Sequence, residues 1–182
     1  MDAKYQRHDA TSAEGIANEL IDVYARVYDS PPYVSDPFFS VSSFTDRLKD
    51  AITTEGFETV TARRDGRIIG YVHGVTLPAD RMWWTSLAEQ RPARLRTLAD
   101  AGLVFWLREL MVLPEVQNRG VGKRLHDTMI AGRAERITLL TCVVDNQPAH
   151  DAYLRWGYTI IGSVKHAPES PVYDAMYLPS PC

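Results

Sequence analysis

The sequence predicts a single α/β domain in which helices flank a mixed, mostly antiparallel central sheet. Strand-like and helix-like apolar patterns alternate along the chain, and this alternation is the first observation behind the prediction. The second is the turn signal Asp65-Gly66 between two strand patterns, and the third is a turn containing Gly120 and Gly122 between a strand pattern and a helical one. A chain of 182 residues is within the usual range for one domain and can bury a core.

Each element is predicted from the spacing of its apolar residues and from the residues that interrupt it. Helical spacing, as in Ile16, Leu20 and Val23, marks the helices, whereas runs of apolar residues bounded by turn residues mark the strands. Residues 77–102 contain two prolines and the pair Trp83-Trp84, and they are expected to be partly helical. In order, we expect a strand at 5–9, a helix at 16–29, a proline-rich loop at 30–37, a helix at 41–51, strands at 57–63, 67–76 and 104–113, a helix at 120–133, a strand at 137–144, a helix at 147–156, and strands at 158–164 and 173–178.

Composition and charge exclude several classes of protein. A formal net charge of −3 argues against a general nucleic-acid binder. Residues 1–15 lack the pattern of a signal peptide, and no apolar run approaches the length of a membrane span. Cys142 and Cys182 form neither a disulfide framework nor a metal site, so a cytoplasmic protein in a reducing compartment is expected. The histidines lack metal-ligand spacing and are interpreted as surface or structural residues; they are His8, His73, His126, His150 and His166.

The most informative segment is the turn at 117–122, between a strand pattern and a helical one. Glycines allow the backbone to approach a ligand closely, and the first N–H groups of a helix have no partners within the helix. These donors and the positive end of the helix dipole favour a pyrophosphate group, and Arg119, Lys123 and Arg124 add positive charge nearby. A surface turn that only caps the helix is the alternative.

Two familiar phosphate-binding loops do not fit this segment. A Walker A loop ending at Gly122-Lys123 would require glycine at 117 and serine or threonine at 124, where the chain has Gln117 and Arg124. A dinucleotide fingerprint starting at Gly120 would require glycine or alanine at 125, where the chain has Leu125. The nucleoside triphosphatase and nicotinamide-binding interpretations therefore lose most of their support.

The pattern Gln-x-x-Gly-x-Gly after a strand ending in Leu113-Pro114 resembles the acyl-CoA pyrophosphate loop of the GNAT superfamily of N-acetyltransferases. A second block supports the resemblance: an apolar strand is followed by Asn146, then Tyr153, then Gly157-Tyr158. The resemblance covers roughly residues 104–163. It implies one domain over 1–182, with N-terminal helices, hairpin and acceptor-side insertion in 1–103, the acyl-CoA-binding core in 104–163, and a last strand and tail in 164–182.

The resemblance also implies which residues contact acetyl-CoA. The strand end would bind the pantetheine arm as an added strand, the loop would hold the pyrophosphate, and Asn146 would contact the pantetheine in addition to capping a helix. Tyr153 would protonate the departing thiolate, although its spacing alone is more typical of a core aromatic residue. The predicted cofactor-binding residues are Met111, Val112, Leu113, Gln117, Asn118, Arg119, Gly120, Val121, Gly122, Lys123, Asn146 and Tyr153.

Acetyl transfer to an amine also requires a base, because a primary amine with a pKa of about 10.4 arrives protonated. Glu109 is the best candidate because it is the only carboxylate in the strand before the loop, and apolar neighbours would raise its pKa. A structural glutamate at the strand end, paired with Arg108 or another arginine, is the alternative. Some family members that acetylate protein N-termini place a glutamate in the later strand, where this chain has Thr141.

The expected function is acetyl transfer from acetyl-CoA to a primary amine, in a small molecule, by direct attack and without a metal. Aromatic residues between Tyr28 and Phe44 and the pair Trp83-Trp84 either pack the core or line the acceptor pocket. An acyl-CoA-binding sensor without catalysis and an acetyltransferase acting on protein lysines or N-termini are the alternatives. No nucleic-acid or membrane partner is expected, and a homodimer is compatible with the sequence.

Overall fold

A computed structural model of the chain describes residues 3–29, 33–34 and 36–179. Its strands form one seven-stranded sheet in the order β1-β2-β3-β4-β5-β7-β6. The strands are β1 (Lys4–His8), β2 (Glu58–Arg64), β3 (Arg67–Thr76), β4 (Val104–Val112), β5 (Ile137–Val143), β6 (Thr159–Val164) and β7 (Tyr173–Pro179). The helices are α1 (Ala10–Glu14), α2 (Ala17–Tyr28), α3 (Val41–Ile52), α4 (Met82–Ser86), α5 (Ala93–Asp100), α6 (Val121–Ile130) and α7 (Gln147–Arg155), with 3₁₀ turns at Pro37–Phe39 and Pro114–Val116.

The predicted fold class is confirmed, since helices accompany a mixed and mostly antiparallel sheet. β1 pairs with β2, β2 with β3, β5 with β7, and β6 with β7, all in antiparallel orientation. β4 and β5 pair in parallel over Val104–Trp106 and Ile137–Leu139. The chain divides into two compact units, of which the first contains the residues up to Val75 and Arg108–Gly132, and the second contains Thr76–Leu107 and the residues from Arg133 onward.

In the first unit, the predicted hairpin forms at the predicted turn. Asp65 and Gly66 both have positive φ angles, 53° and 79°, as the common two-residue turn between antiparallel strands requires. The register of β2 and β3 shifts between Ala62 and Arg63, where the ladder is irregular. Arg63 then reaches Glu19 of α2 through two hydrogen bonds of 2.7 and 2.8 Å, which ties the hairpin to that helix.

The helices of the first unit bury one apolar face, as their periodicity predicts. Leu20, Val23 and Tyr24 of α2 are buried, as are Phe44 and Leu48 of α3. The short helix α1 was not predicted from the sequence, because its five residues are too few to show an apolar repeat. Its sequence signal is the cap at its start, where the Asp9 carboxylate accepts from the Ser12 N–H at 2.9 Å.

In the second unit, β7 lies between β5 and β6 and joins them. The β5–β7 ladder runs from Ile137↔Pro179 to Val143↔Tyr173, and the β6–β7 ladder shifts register between Ile160 and Gly162. The region expected to be partly helical contains α4 and α5, so that expectation is confirmed. Trp83 and Trp84 are both buried there, and Arg91 lies over the Trp84 ring at 4.5 Å from its centroid.

The end of α6 differs from the sequence prediction by three residues, whereas the ends of the other individually predicted helices and strands lie within one residue of it. α6 ends at Ile130 and not at 133, because the chain reverses at Gly132, whose φ is 73°. The proline-rich loop predicted at 30–37 lies partly outside the described residues, and its last residue begins the 3₁₀ turn Pro37–Phe39. Cys182 also lies outside the described residues. None of the described helices combines the length and apolar character needed to cross a membrane.

Candidate active site

The segment between β4 and α6 has the backbone shape that a phosphate-binding turn requires. A 3₁₀ turn over Pro114–Val116 ends β4, and the chain then passes through two left-handed residues, Asn118 with φ 58° and Gly120 with φ 79°. Gly120 is the N-cap of α6 and makes no side-chain capping bond, so the first N–H groups of this helix are not capped by that residue. Residues 117–120 are exposed. The turn therefore presents a helix N-terminus to a ligand from solvent.

The positive charges near this turn differ in how they are used within the protein. Lys123 Nζ lies 2.5 and 2.6 Å from the two carboxylate oxygens of Asp127, one helical turn further on. The Arg124 guanidinium lies over the Tyr5 ring at 4.6 Å from its centroid. Arg119 is exposed on the turn itself. Of these three cations, Arg119 is therefore the best placed to bind a phosphate, because Lys123 and Arg124 would first have to leave the contacts with Asp127 and Tyr5.

A glycine in β3 allows β4 and α6 to come close beside this turn. A Cβ atom on Gly70 would lie 2.7 Å from the Met111 carbonyl oxygen, 3.3 Å from Val112 Cα and 3.2 Å from Leu125 Cδ1. Because the first two of these atoms belong to the backbone, a side chain at 70 would displace the end of β4. Gly70 is not among the site residues predicted from the sequence, although an isolated glycine in a strand pattern is the signal for such a close approach.

The end of β4 offers only part of its backbone to a ligand. Parallel pairing with β5 covers Val104–Trp106, whereas β4 continues to Val112. Leu113 N donates to the Ile69 carbonyl at 2.9 Å, and the Val112 carbonyl accepts from the Gln117 side chain at 2.9 Å. These two groups are therefore already engaged, and since β3 is the other neighbour of β4 in the sheet, added-strand binding would use only backbone groups that face away from β3.

Glu109 of β4 belongs to the first unit and has the properties of a base. Its carboxyl group makes no hydrogen bond or ion pair within the described part of the chain, although Arg108 beside it pairs with Asp50 at 3.0 Å. Part of the residue remains accessible to solvent, yet enough protein surrounds the carboxyl group that burial raises its pKa, against the opposing charges of Arg47 and Arg108. The alternative of a direct Glu109–Arg108 pair is therefore not what the structure contains.

Asn146 and Tyr153 lie in the second unit, at the start and in the middle of α7. Asn146 is the N-cap, and its Oδ1 accepts from the Ala149 N–H at 3.3 Å, which is the capping role that the sequence offered. Tyr153 is 9% exposed and packs edge-to-face against Trp156 and Tyr158, with centroids 5.4 and 5.5 Å away. These contacts hold the ring in a fixed place, as both a core aromatic residue and a precisely positioned acid would require.

Cys142 of β5 is a poor candidate for an acyl carrier. It is 5% exposed, and burial, followed by the charge of Asp174, raises its pKa to about 12. The thiol therefore stays protonated at neutral pH, whereas the thiolate is the nucleophile. The structure supports a reaction without a covalent intermediate on this residue.

Aromatic residues in and after α2 divide into core residues and groove residues. Phe44 stacks on Tyr24 at a centroid distance of 3.9 Å and is fully buried. Tyr28 and Tyr33 are only half-buried, and with Phe39 they line a groove of about 480 Å³. Asp29 and Asp36 also line it. Core packing is therefore the role of Phe44, and of Trp83 and Trp84 in the second unit, whereas Tyr28 and Tyr33 face a space that a small molecule could enter.

Three residues close to Glu109 were not assigned a site role from the sequence. Arg47 of α3 donates to the Tyr24 hydroxyl at 3.2 Å and to the Phe38 carbonyl at 3.0 Å, and its charge acts on Glu109. Tyr71 and His73 of β3 are buried, and Glu109 and Arg47 influence the pKa of Tyr71. The sequence predicts that His73 is a surface or a structural residue, and its burial shows that it is not on the surface. No local motif marks these residues, because they converge from separate elements.

The chain resembles known proteins in both sequence and structure. Residues 19–158 match the model of the "Acetyltransferase (GNAT) family". No curated protein sequence matches the chain. Among solved structures, PH1933 from Pyrococcus horikoshii OT3 superposes with a TM-score of 0.67 at 18% identity, over 98% of this chain and 100% of that one.

Two further structures extend the comparison. An aminoglycoside 6′-acetyltransferase type Ii has a TM-score of 0.65 at 14% identity, with 98% of each chain covered. The PaiA N-acetyltransferase from Thermoplasma acidophilum, solved in complex with coenzyme A, has a TM-score of 0.62 at 12% identity, with 98% of this chain and 99% of that chain covered. At these identities the structural likeness establishes the fold, whereas the family match covers more than half of the sequence. The chain therefore belongs to the GNAT acetyltransferase family and is an acetyltransferase that uses acetyl-CoA.

Proposed function

We propose that this enzyme transfers the acetyl group of acetyl-CoA to a primary amine of a small molecule, by direct attack within a ternary complex. The observation that carries the proposal is the environment of the Glu109 carboxyl group. A carboxyl group with a raised pKa and no ion-pair partner in the described chain is suited to removing a proton from an ammonium group. A carboxylate with a purely structural role would be expected to engage a nearby arginine directly, as Asp50 engages Arg108.

The reaction then proceeds in balanced steps. Glu109 takes a proton from the ammonium form of the acceptor, directly or through a water. The neutral nitrogen attacks the thioester carbonyl, so that a C–N bond forms as the C–S bond breaks. Tyr153 gives its phenolic proton to the departing thiolate, the second proton lost by the attacking nitrogen restores the Tyr153 phenol by way of solvent, and the proton on Glu109 is released to solvent. No group of the enzyme is acylated.

The cofactor is held by backbone and side-chain donors in this proposal. The turn from Gln117 to Gly122 and the N-terminus of α6 bind the pyrophosphate, and Arg119 supplies a positive charge on the turn itself. Backbone groups of Met111–Leu113 that face away from β3 bind the pantetheine amides. Asn146 uses its oxygen for the helix cap, so its Nδ2 group can donate to the pantetheine.

The groove after α2 supports a small cationic acceptor. Tyr28, Tyr33 and Phe39 supply aromatic faces that attract an ammonium group, and Asp29 and Asp36 supply negative charge. A groove of about 480 Å³ is the size of a small-molecule site. The same fold serves an aminoglycoside 6′-acetyltransferase, so it is compatible with an acceptor of this class.

The test is a screen of amines against acetyl-CoA that measures the release of free thiol. Small mono- and polyamines, free lysine-containing peptides and unblocked N-terminal peptides form three panels, and E109Q is run in parallel. Thiol release with small amines that exceeds release with both peptide panels supports the proposal. Release with peptides alone would identify a protein acetyltransferase. A thermal shift with acetyl-CoA but no thiol release with any panel would favour a sensor.

A further inference from the structure

Two buried polar side chains on β3 have no use in the mechanism above. Tyr71 is 0% exposed and His73 is 1% exposed. Within the part of the chain that the structure describes, neither the Tyr71 hydroxyl nor either ring nitrogen of His73 has a hydrogen-bond partner. Buried polar atoms without partners are rare in native proteins because burial removes their hydrogen bonds to bulk water. Three such atoms on neighbouring side chains therefore indicate a bound polar group.

The two side chains lie on the same face of the strand. They are two residues apart, and their rings are nearly parallel, with an interplanar angle of 7° and centroids 6.1 Å apart. Phe57 packs on His73 at a centroid distance of 5.8 Å. Aromatic packing thus holds both rings in place without satisfying their polar atoms.

The charged and titratable groups around this pair come from three neighbouring elements. Glu109 of β4 and Tyr24 of α2 both raise the pKa of Tyr71. Arg108 of β4 and Arg47 of α3 both lower the pKa of His73. Since the same two arginines also lower the pKa of Glu109, all these groups share one polar region at the proposed base.

Both unpartnered groups are neutral at working pH. Burial raises the pKa of Tyr71 well above its ordinary value and lowers the pKa of His73 well below its ordinary value. The phenol therefore keeps its proton, and the imidazole offers one donor and one acceptor. A neutral molecule that both donates and accepts hydrogen bonds satisfies this set, whereas an ion would face uncompensated burial. Water has these properties and commonly bridges buried polar groups.

We propose that Tyr71 and His73 bind an internal water beside Glu109, and that they act through it as positioning residues for the proposed base. The water hydrogen-bonds to the Tyr71 hydroxyl and to a ring nitrogen of His73, and it donates to the Glu109 carboxylate. A donor to a carboxylate stabilises its charged form, so the water counteracts part of the effect of burial. The role of this site in catalysis rests on the proposed function of Glu109, whereas the water site itself does not.

The experiment is an NMR titration of the intact protein labelled with ¹³C at the glutamate carboxyl carbon. E109Q assigns the Glu109 signal, and wild type, Y71F and T59V are then titrated. Thr59 is the matched control because its buried hydroxyl lies on the neighbouring strand and already donates to the Val72 carbonyl at 2.9 Å. We expect Y71F to raise the Glu109 pKa by roughly one pH unit, about a tenfold change in ionisation, and T59V to leave it unchanged. If Y71F does not fold, H73L removes the other water ligand and provides the same test.

The outcomes separate this inference from the proposed function. A Glu109 pKa that is the same in Y71F as in wild type overturns the inference, even if E109Q is inactive and the function stands. A Glu109 pKa that rises in Y71F supports the water site, even if E109Q is fully active and the function fails. Thermal unfolding gives a second readout. Loss of a water ligand should lower the melting temperature, whereas removal of a dry, unpartnered hydroxyl should raise it and would contradict the proposal.

Discussion

Gln117 donates from Nε2 to the carbonyl oxygen of Val112 at 2.9 Å, so the first residue of the proposed phosphate-binding turn is hydrogen-bonded to the last residue of β4. This bond spans the 3₁₀ turn Pro114–Val116 and connects two segments that the proposed cofactor would contact together. The turn is therefore positioned by a side chain of its own sequence motif.

Replacing Gln117 with alanine should weaken CoA binding moderately while leaving the fold intact. The bond is exposed and neutral, so its loss costs about 0.5–1.5 kcal/mol, or roughly a 2- to 12-fold increase in Kd. Calorimetric titration with CoA measures this, and Gln90→Ala is a control at an exposed glutamine of the second unit. Unchanged affinity in Q117A would show that the bond does not organise the binding site.

Replacing Gly122 with alanine should separate ligand binding from stability. A Cβ at 122 would meet only Val112 Cγ2 at 3.6 Å, an ordinary contact, and alanine favours a helix over glycine by about 0.8–1.0 kcal/mol. We therefore expect a slightly higher melting temperature together with weaker CoA binding, because the methyl group occupies space at the turn that a ligand needs.

At Gly120 the same substitution acts through the backbone. A Cβ there meets nothing within 4 Å, but the φ of 79° is unfavourable for alanine. G120A should lower both affinity and melting temperature, and G120D should weaken binding further by charge. If G122A, in contrast, binds CoA as tightly as wild type, the cofactor does not approach the backbone at Gly122.

Replacing Gly70 with alanine should destabilise the protein and impair cofactor binding. Its Cβ would lie 2.7 Å from the Met111 carbonyl oxygen, and a backbone atom cannot rotate away. Overpacking of this kind costs about 1–3 kcal/mol. Chemical denaturation measures the loss, and G66A is a comparison in which open space surrounds the Cβ and only the positive φ is penalised. A fully stable G70A with normal CoA affinity would mean that β3 and β4 can separate freely at this point.

Tyr153→Phe should lower turnover and leave cofactor affinity nearly unchanged. The ring contacts with Trp156 and Tyr158 are kept, and only the hydroxyl is lost. Loss of a general acid typically lowers the rate by about 10²- to 10⁴-fold. Steady-state kinetics with calorimetry on the same preparation tests this. Turnover equal to that of wild type would leave Tyr153 with only a packing role.

Glu109→Gln should lower turnover most at low pH, and the deficit should shrink as pH rises and more of the amine is already neutral. The thermal stability of E109Q, by contrast, should exceed that of wild type at high pH. Because burial raises the folded-state pKa above the unfolded value, the ionised wild type loses stability as pH rises through the window between the two. E109Q should therefore unfold at a higher temperature than wild type above this window and at a similar temperature below about pH 4. An unchanged pH–rate profile would exclude Glu109 as the base.

Local sequence determined most of the secondary structure and the backbone shape of the turn at 117–122. Asp65-Gly66 and Gly120 specify positive φ angles by residue type, and the apolar spacing of α2 and α3 specifies which face they bury. Such signals are local, because backbone sterics and helical periodicity act over a few neighbouring residues. The five-residue helix α1 was not predicted, because little more than one turn is too short to repeat an apolar pattern.

Only the tertiary structure decided which residues surround Glu109, and which aromatic residues pack the core and which line the groove. Arg47, Tyr71 and His73 come close to Glu109 from α3 and β3, and no spacing in the sequence indicates that these elements meet. Phe44 and Tyr33 look alike as aromatic residues, yet one is fully buried and the other lines a groove. Burial and electrostatic environment depend on contacts between residues far apart in the chain, and these exist only once the sheet and its helices have packed.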